Sequence, residues 1–301
     1  MFAITGITGK VGGETARRLL EAYLPVRAVV RDETKGAAWA RRGCGIAVAD
    51  IGDAEALTRA FSGAEGVFVL VPPNFDPSPG FPEVRAIISA LKSALLQARP
   101  DKVVVLSTIG AQAVQVNLLS QLGMMEQELS SLPMPIAFLR AAWFMENASL
   151  DVQPARTTGA IQSFLQPLQK PVPMVATEDI GKVAAQLLQA EWTGLRVVEL
   201  EGPRRVTPLE IAATFSRLLG HAVQPSAPLR SEWEELFRGQ GMSNPTPRMR
   251  MLDGFNEGSI EFEAGEAGSI KGTVELESVL RTLTQQESKG DSTSAKIDSA
   301  I

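Results

Sequence analysis

The chain has 301 residues, 45% of them hydrophobic, and a formal net charge of −5. That is apolar material for one large domain, or for a domain with a smaller appendage, and a mildly acidic chain lacks the clustered Lys and Arg that nucleic-acid phosphates demand. The single cysteine, Cys44, excludes an internal disulfide, and with one histidine, His221, beside it no zinc set can be read and no metal is expected.

The first residues run straight into a strand and a glycine turn, without the basic segment, apolar run and cleavage site of a secretory leader. No apolar run approaches the ~18–20 residues of a membrane span. The expectation is a cytoplasmic protein without a membrane partner.

Short apolar runs at 2–4, 25–30, 45–49, 66–70, 102–106 and 136–139 read as buried strands. Between them lie helical stripes: Val11, Ala16, Leu19 and Leu20; then Ala56, Leu57, Ala60 and Phe61; then Val84, Ile87, Ile88, Leu91, Leu95 and Leu96. Strands alternating with helices predict an α/β fold, a Rossmann-type doubly wound parallel sheet with a smaller C-terminal lobe. We place the dinucleotide-binding domain at 1–150. A substrate lobe interleaved with returning sheet elements follows at 151–285. The polar tail, 286–301, is expected to be disordered.

Within the second half, residues 153–173 are rich in Pro, Gln and Thr and read as loops or short pieces. The stretch 177–190 reads as a helix and 196–200 as a strand. Thr207 with Glu210 three residues on is a capping-box signal for a helix that stops at Gly220. Trp233, Leu236 and Phe237 mark one more amphipathic piece.

The most informative segment is Thr5-Gly6-Ile7-Thr8-Gly9-Lys10-Val11-Gly12, which follows a strand and opens a helix. A pyrophosphate needs backbone N–H donors at a helix N-terminus and no Cβ in its way. Gly6 would make the tight turn, Gly9 would allow close approach, and Gly12 would let the helix pack on the sheet. The spacing does not suit a Walker loop, because Val11 follows Gly9-Lys10 where Ser or Thr is required. Thr8, Lys10 and Val11 belong to the same cofactor-binding set.

The second strand continues as Arg31-Asp32-Glu33-Thr34-Lys35. An NAD site places an acid near this strand end to hold the ribose hydroxyls. Arg31 stands in its place, and Arg31 with Lys35 suits a 2′-phosphate, so NADP(H) is favoured over NAD(H). A solvated turn in which Asp32 and Glu33 pair with these cations is the alternative. Asp50, after the third strand, would face the adenine or cap the helix that follows. Val71 and Pro72 end the fourth strand beside the ribose, and Ser107 and Thr108 end the fifth near the nicotinamide.

At these residues the chain resembles the NmrA-like family of atypical short-chain dehydrogenase/reductase proteins. The T-G-x-T-G-x-x-G turn, Arg31 and Ser107 match, and Leu139-Arg140-Ala141-Ala142-Trp143-Phe144-Met145-Glu146-Asn147 is similar to the family's L-R-x-x-x-F-x-E-N signature. Thr177-Glu178-Asp179-Ile180 matches its later helix start. The resemblance runs to about residue 283. It implies NAD(P) on the glycine turn and a substrate cleft near Trp143, Phe144 and Asn147. Members include quinone, azo-dye and triphenylmethane-dye reductases, and also non-catalytic regulators that sense NAD(P).

The ordinary reductases of this superfamily use a Tyr as proton donor with a Lys four residues later. The only tyrosine here is Tyr23, at the end of the first helix, and residue 27 is Arg. Some relatives carry His or Lys near positions 122–123, where this chain has Leu122 and Gly123. Two readings follow. One is an NADPH-dependent reductase of a quinone-like aromatic acceptor, with Ser107, Thr108 or Glu126 orienting it and an apolar wall from Trp143 and Phe144. The other is a non-catalytic NADP(H) sensor acting through a regulatory protein partner. A sugar-nucleotide epimerase fits less well, since it too relies on Tyr/Lys. A homodimer stays open.

Overall fold

The computed structural model describes residues 1–290. In the first half, strand and helix alternate strictly: β1 (Phe2–Ile4), α1 (Lys10–Glu21), β2 (Val26–Val30), α2 (Glu33–Ala40), β3 (Gly45–Val48), α3 (Ala54–Phe61), β4 (Gly66–Val69), α4 (Pro82–Ala98), β5 (Lys102–Thr108), α5 (Ser120–Leu129) and β6 (Ile136–Ala141). Then come β7 (Trp143–Phe144), a 3-10 helix over Met145–Asp151, α6 (Val152–Thr158), β8 (Ala160–Gln162), β9 (Met174–Val175), α7 (Thr177–Gln189), β10 (Leu195–Glu201) and α8 (Pro208–Leu219). The remainder is β11 (Gln224–Ser226), α9 (Trp233–Gly239), α10 (Thr246–Glu257), α11 (Gly265–Gly268), β12 (Ile270–Lys271) and α12 (Leu276–Gly290).

The main sheet has eight strands in the order β12-β10-β6-β5-β4-β1-β2-β3, every pair parallel. It is a Rossmann-type doubly wound sheet. Two apolar clusters cover its faces. One takes in α1 and α7 with Ile4, Phe68 and Leu139, and the other takes in α3, α4 and α5 with Val67, Val105 and Phe138. Alternate residues of each strand therefore feed opposite faces, as the side-chain period of two requires.

The strand order reverses between β1 and β4. From β1 the chain winds outward to β3, and from β4 it winds outward the other way. Ligands of open α/β sheets sit at such a switch point, beyond the strand C-termini. Thr5 ties the two strands together there. Its hydroxyl donates to the Phe68 carbonyl at 3.1 Å, and the Leu70 N–H donates to Thr5 Oγ1 at 2.8 Å.

The structure departs from the sequence expectations in three places. Residues 33–40 form α2 rather than a solvated charged turn, because the Asp32 carboxylate accepts the Lys35 N–H at 3.1 Å and caps it. Residues 152–158 are helical where loops were expected: Pro154 falls in the first turn of α6, where a missing N–H costs nothing, and Gly159 at φ +65° closes the helix. The expected disorder beginning at 286 gives way to α12, which reaches Gly290. Leu276, Leu280 and Leu283 anchor that helix in the core, and helix propagation is cheap once a nucleus is fixed. The rest of the expected tail, 291–301, lies outside the described residues. The capping box of α8 is as read: Thr207 Oγ1 accepts the Glu210 N–H at 3.1 Å, and the Thr207 N–H donates to Glu210 Oε2 at 2.8 Å.

Among the described residues, no helix is long and apolar enough to cross a membrane, and no group of His, Cys, Asp and Glu could hold a metal ion.

Candidate active site

The glycine turn sits at the switch point. Gly6 has φ +61°, a left-handed conformation that favours glycine. The Gly9 N–H donates to the Gly6 carbonyl at 2.9 Å, closing the turn, and Gly9 then serves as the N-cap of α1. No side chain caps this end and no acid lies in its first turn, so its dipole and N–H groups stay available to an anion. At Gly12 a Cβ would lie 2.4 Å from the Gly6 carbonyl oxygen. The absence of a side chain there lets α1 start directly against the turn. Thr8 and Gly9 are exposed, Lys10 is half-buried and Val11 is in the core.

Arg31 and Lys35 are exposed at the end of β2, and neither has an ion pair among the described residues. Asp32 does not pair with Arg31. Its carboxylate is engaged by the Lys35 N–H and the Thr34 hydroxyl, which hold it below the usual carboxylate range. Asp50 is exposed and accepts the Gly52 N–H at 2.9 Å, an Asx turn, while Asp53 caps α3. These residues suit a dinucleotide: a tight turn, an uncapped helix start and two free cations beyond β2.

Next along the same edge is a cleft of about 170 Å³. The ends of β4 and β5 supply Val71, Pro72, Ser107 and Thr108, and the segment after β6 supplies Trp143, Phe144 and Asn147. Leu118, Gln121 and Leu122 of α5 and its lead-in face them, with Met251 and Phe255 of α10 across the opening. Trp143 meets Phe255 edge to face, centroids 5.4 Å apart at 88°. Trp143 and Phe144 lie in the two-residue strand β7 paired with β9, and both line the cleft, while Met145 is buried. The glycine turn, Arg31, Lys35 and Asp50 lie outside this cleft, at the ends of β1, β2 and β3.

No ionisable side chain lines the cleft among the described residues. Glu126, expected to orient an acceptor, is not in its wall. It is buried and gripped by Arg140, Nε to Oε1 at 3.0 Å and Nη2 to Oε2 at 2.7 Å. The Ser107 hydroxyl donates to Glu126 Oε1 at 2.5 Å. Arg140 reaches on to Glu199 at 3.3 Å and Glu263 at 2.8 Å. This network explains Arg140 of the L-R pair: it neutralises two buried carboxylates, Glu126 on α5 and Glu199 on β10. Tyr23 is 96% exposed in the turn after α1 and lies nowhere near the cleft. At Gly123 a Cβ would stand 2.4 Å from the Ala111 carbonyl oxygen, so this backbone has no room there for the His or Lys of some relatives.

Two roles were not legible in the sequence. The Glu146 carboxylate accepts the Thr177 N–H at 3.0 Å and the Thr177 hydroxyl at 2.6 Å, capping α7 from a distance. Burial raises its pKa against these bonds. Lys10 does not reach the cleft; it lines a separate depression with Glu14, Glu146 and Thr177. Asp179 accepts the N–H groups of Thr273 and Val274, both at 2.9 Å, and so ties the C-terminal segment to α7.

The family model of the NmrA-like family matches residues 1–231. The chain belongs to the NmrA-like family. Among its relatives, the NAD(P)H azoreductase of Xenophilus azovorans is 31% identical over 246 residues, covering 80% of this chain and 82% of that one. Two solved structures share the fold. The NADPH complex of an Escherichia coli NADPH-dependent quinone oxidoreductase has a TM-score of 0.77 at 22% identity, covering 94% of this chain and 99% of the other. The NADP(H) complex of Citrobacter sp. triphenylmethane reductase has a TM-score of 0.77 at 20% identity, with the same coverage.

Proposed function

We propose that this protein is an NADPH-dependent reductase of a flat, conjugated acceptor of quinone or azo type. The observation that carries the reading is an apolar cleft beside the switch point, walled by Trp143 and Phe144 and lined by no ionisable group. Relatives whose names specify azo, quinone and triphenylmethane-dye reduction support it.

Bound at the glycine turn, the nicotinamide cofactor would supply a hydride. Gly6, Gly9, Gly12 and the start of α1 would hold its pyrophosphate, and Arg31 with Lys35 would hold a 2′-phosphate. Trp143 and Phe144 orient a planar acceptor and exclude water. A general acid is worth roughly 100- to 10,000-fold, and this cleft has none to offer. Quinones and azo compounds tolerate the loss because their reduced anions are delocalised and water can protonate them. An acceptor such as a simple ketone, whose alkoxide needs a proton as it forms, suits this cleft poorly.

The test is NADPH consumption by the purified protein against a panel of quinones, azo dyes and simple ketones, with NADH as comparison. Turnover of the first two classes but not the third supports the reading. Tight NADPH binding with no turnover of any acceptor replaces it with the sensor that acts through a protein partner.

A further inference from the structure

Hydrogen-bond accounting in the cleft narrows the choice of donor. Four polar side chains besides Asn147 line it, Asn74, Ser107, Thr108 and Gln121, together with the indole N–H of Trp143. The Ser107 hydroxyl donates to Glu126, whose carboxylate is held by Arg140. The Thr108 hydroxyl donates to the Ile109 carbonyl at 3.2 Å. The Gln121 Nε2 group donates to the carbonyls of Asn74 and Leu118, at 2.9 Å and 3.2 Å. Asn74 lies in the loop after β4, where its Oδ1 accepts the Asp76 N–H at 3.1 Å and leaves its amide N–H2 as the second candidate. Asn147 alone of the five makes no side-chain hydrogen bond among the described residues.

Its backbone is fixed on both sides. Glu146 is tied to Thr177 at the start of α7, and Met145 and Ala148 are buried. The half-buried Asn147 side chain is thus presented to the cleft on a clamped 3-10 turn. Donors held in place before charge develops are the most effective, because no reorganisation is needed during the reaction.

We propose that the Asn147 carboxamide is the catalytic hydrogen-bond donor of this site, taking up the negative charge that forms on the acceptor's oxygen or nitrogen. The assignment rests on the reductase reading above. The C4–H bond of NADPH breaks with its electron pair, a new bond to hydrogen forms on the acceptor, and NADPH is oxidised to NADP⁺ as the acceptor is reduced. The charge then sits on a heteroatom facing Asn147 Nδ2, and solvent water supplies the proton afterwards. Asn147 stabilises the anion without protonating it, which fits a cleft that has no acid.

The test compares Asn147→Leu, Asn147→Asp and Asn147→Gln with the wild type in two measurements. The first is steady-state reduction of a quinone. Losing one preorganised donor lowers kcat by ~100–1,000-fold, so Asn147→Leu and Asn147→Asp should fall that far while Asn147→Gln, which keeps an N–H, retains part of the rate. The second needs no turnover: 4-nitrophenol is titrated into each protein with NADP⁺ present, and its phenolate absorbance is followed against pH. Wild type should lower the bound phenol's pKa, and Asn147→Leu and Asn147→Asp should lose that shift. Near-wild-type kcat with an unchanged phenolate shift in Asn147→Leu overturns the proposal, as does a loss that falls on Asn74→Leu instead. Should wild type reduce no acceptor, the reductase reading fails, and the phenolate titration still decides whether Asn147 is the donor.

Discussion

Arg140 holds Glu126 by two N–H···O bonds, of 3.0 and 2.7 Å, and thereby ties down a carboxylate that stands directly behind the cleft residue Ser107. Both side chains are almost wholly buried, at 6% and 11% exposure. Two charges of this kind are tolerable inside a protein only as a pair, and removing one partner strands the other.

Arg140→Ala should therefore cost about 3–5 kcal/mol of folding stability, because it strands the buried Glu126 carboxylate, the usual penalty for breaking a buried pair from one side. Urea unfolding monitored by tryptophan fluorescence reads this directly. A loss well under 1 kcal/mol, comparable with a surface salt bridge, would mean the pair is not buried in solution.

The glycine turn predicts a ranking. Alanine at position 6 has to adopt a left-handed conformation, a strain of roughly 1–2 kcal/mol that the turn can absorb. Alanine at position 12 puts a Cβ 2.4 Å from the Gly6 carbonyl oxygen, and backbone must move. NADPH titration should show Gly12→Ala losing far more affinity than Gly6→Ala. The reverse order would mean that α1 does not start against the turn as described.

Among the described residues Arg31 has no acidic partner at the end of β2, so its charge is available to a ligand. Arg31→Asp should weaken NADPH binding by an order of magnitude or more while sparing NADH, since one charge-assisted phosphate contact is worth roughly 1.5–3 kcal/mol. Isothermal titration with both cofactors checks it. Equal loss of both would remove the argument for a 2′-phosphate.

Asp151, at the end of the 3-10 turn that carries Asn147, is pushed up from 3.8 to about 7 by burial. A carboxyl whose folded-state pKa is raised binds its proton more tightly in the fold than in the unfolded chain. Its contribution to stability therefore falls as pH rises from about 4 to about 7, and stays level above that. Asp151→Asn removes this cost, so its Tm should exceed that of wild type by a few degrees at about pH 8 and match it at about pH 4. An equal Tm difference at both pH values would contradict the burial of this group.

Much of the sheet was legible because its strands are short apolar runs between helical stripes, and the glycine turn was legible from the spacing of Gly6, Gly9 and Gly12 between a strand and a helix. The cap of α2 was missed because Asp32 reads equally as an ion-pair partner and as an N-cap; only the backbone decides. Trp143, Phe144 and Asn147 were read as cleft residues from the signature they sit in. The partners of Glu126 and Glu146 were invisible for a different reason. Arg140 lies on β6, 14 residues beyond Glu126 on α5, and Thr177 is 31 residues beyond Glu146, so neither pairing leaves a local pattern. The C-terminal helices α10 and α12 were missed as well, since mixed polar sequence hides anchors such as Met251, Phe255, Leu276 and Leu280, whose burial depends on the lobe they pack into.

The central claim is hydride transfer in a cleft without a protein acid. Its most direct test is single-turnover oxidation of NADPH by stoichiometric protein and a quinone, run with ordinary and C4-deuterated cofactor across a range of pH. The account predicts oxidation faster than the protein-free rate, slowed by deuterium at C4, with no pH break attributable to a titrating side chain of the cleft. Tight cofactor binding with oxidation no faster than in the absence of protein would contradict it.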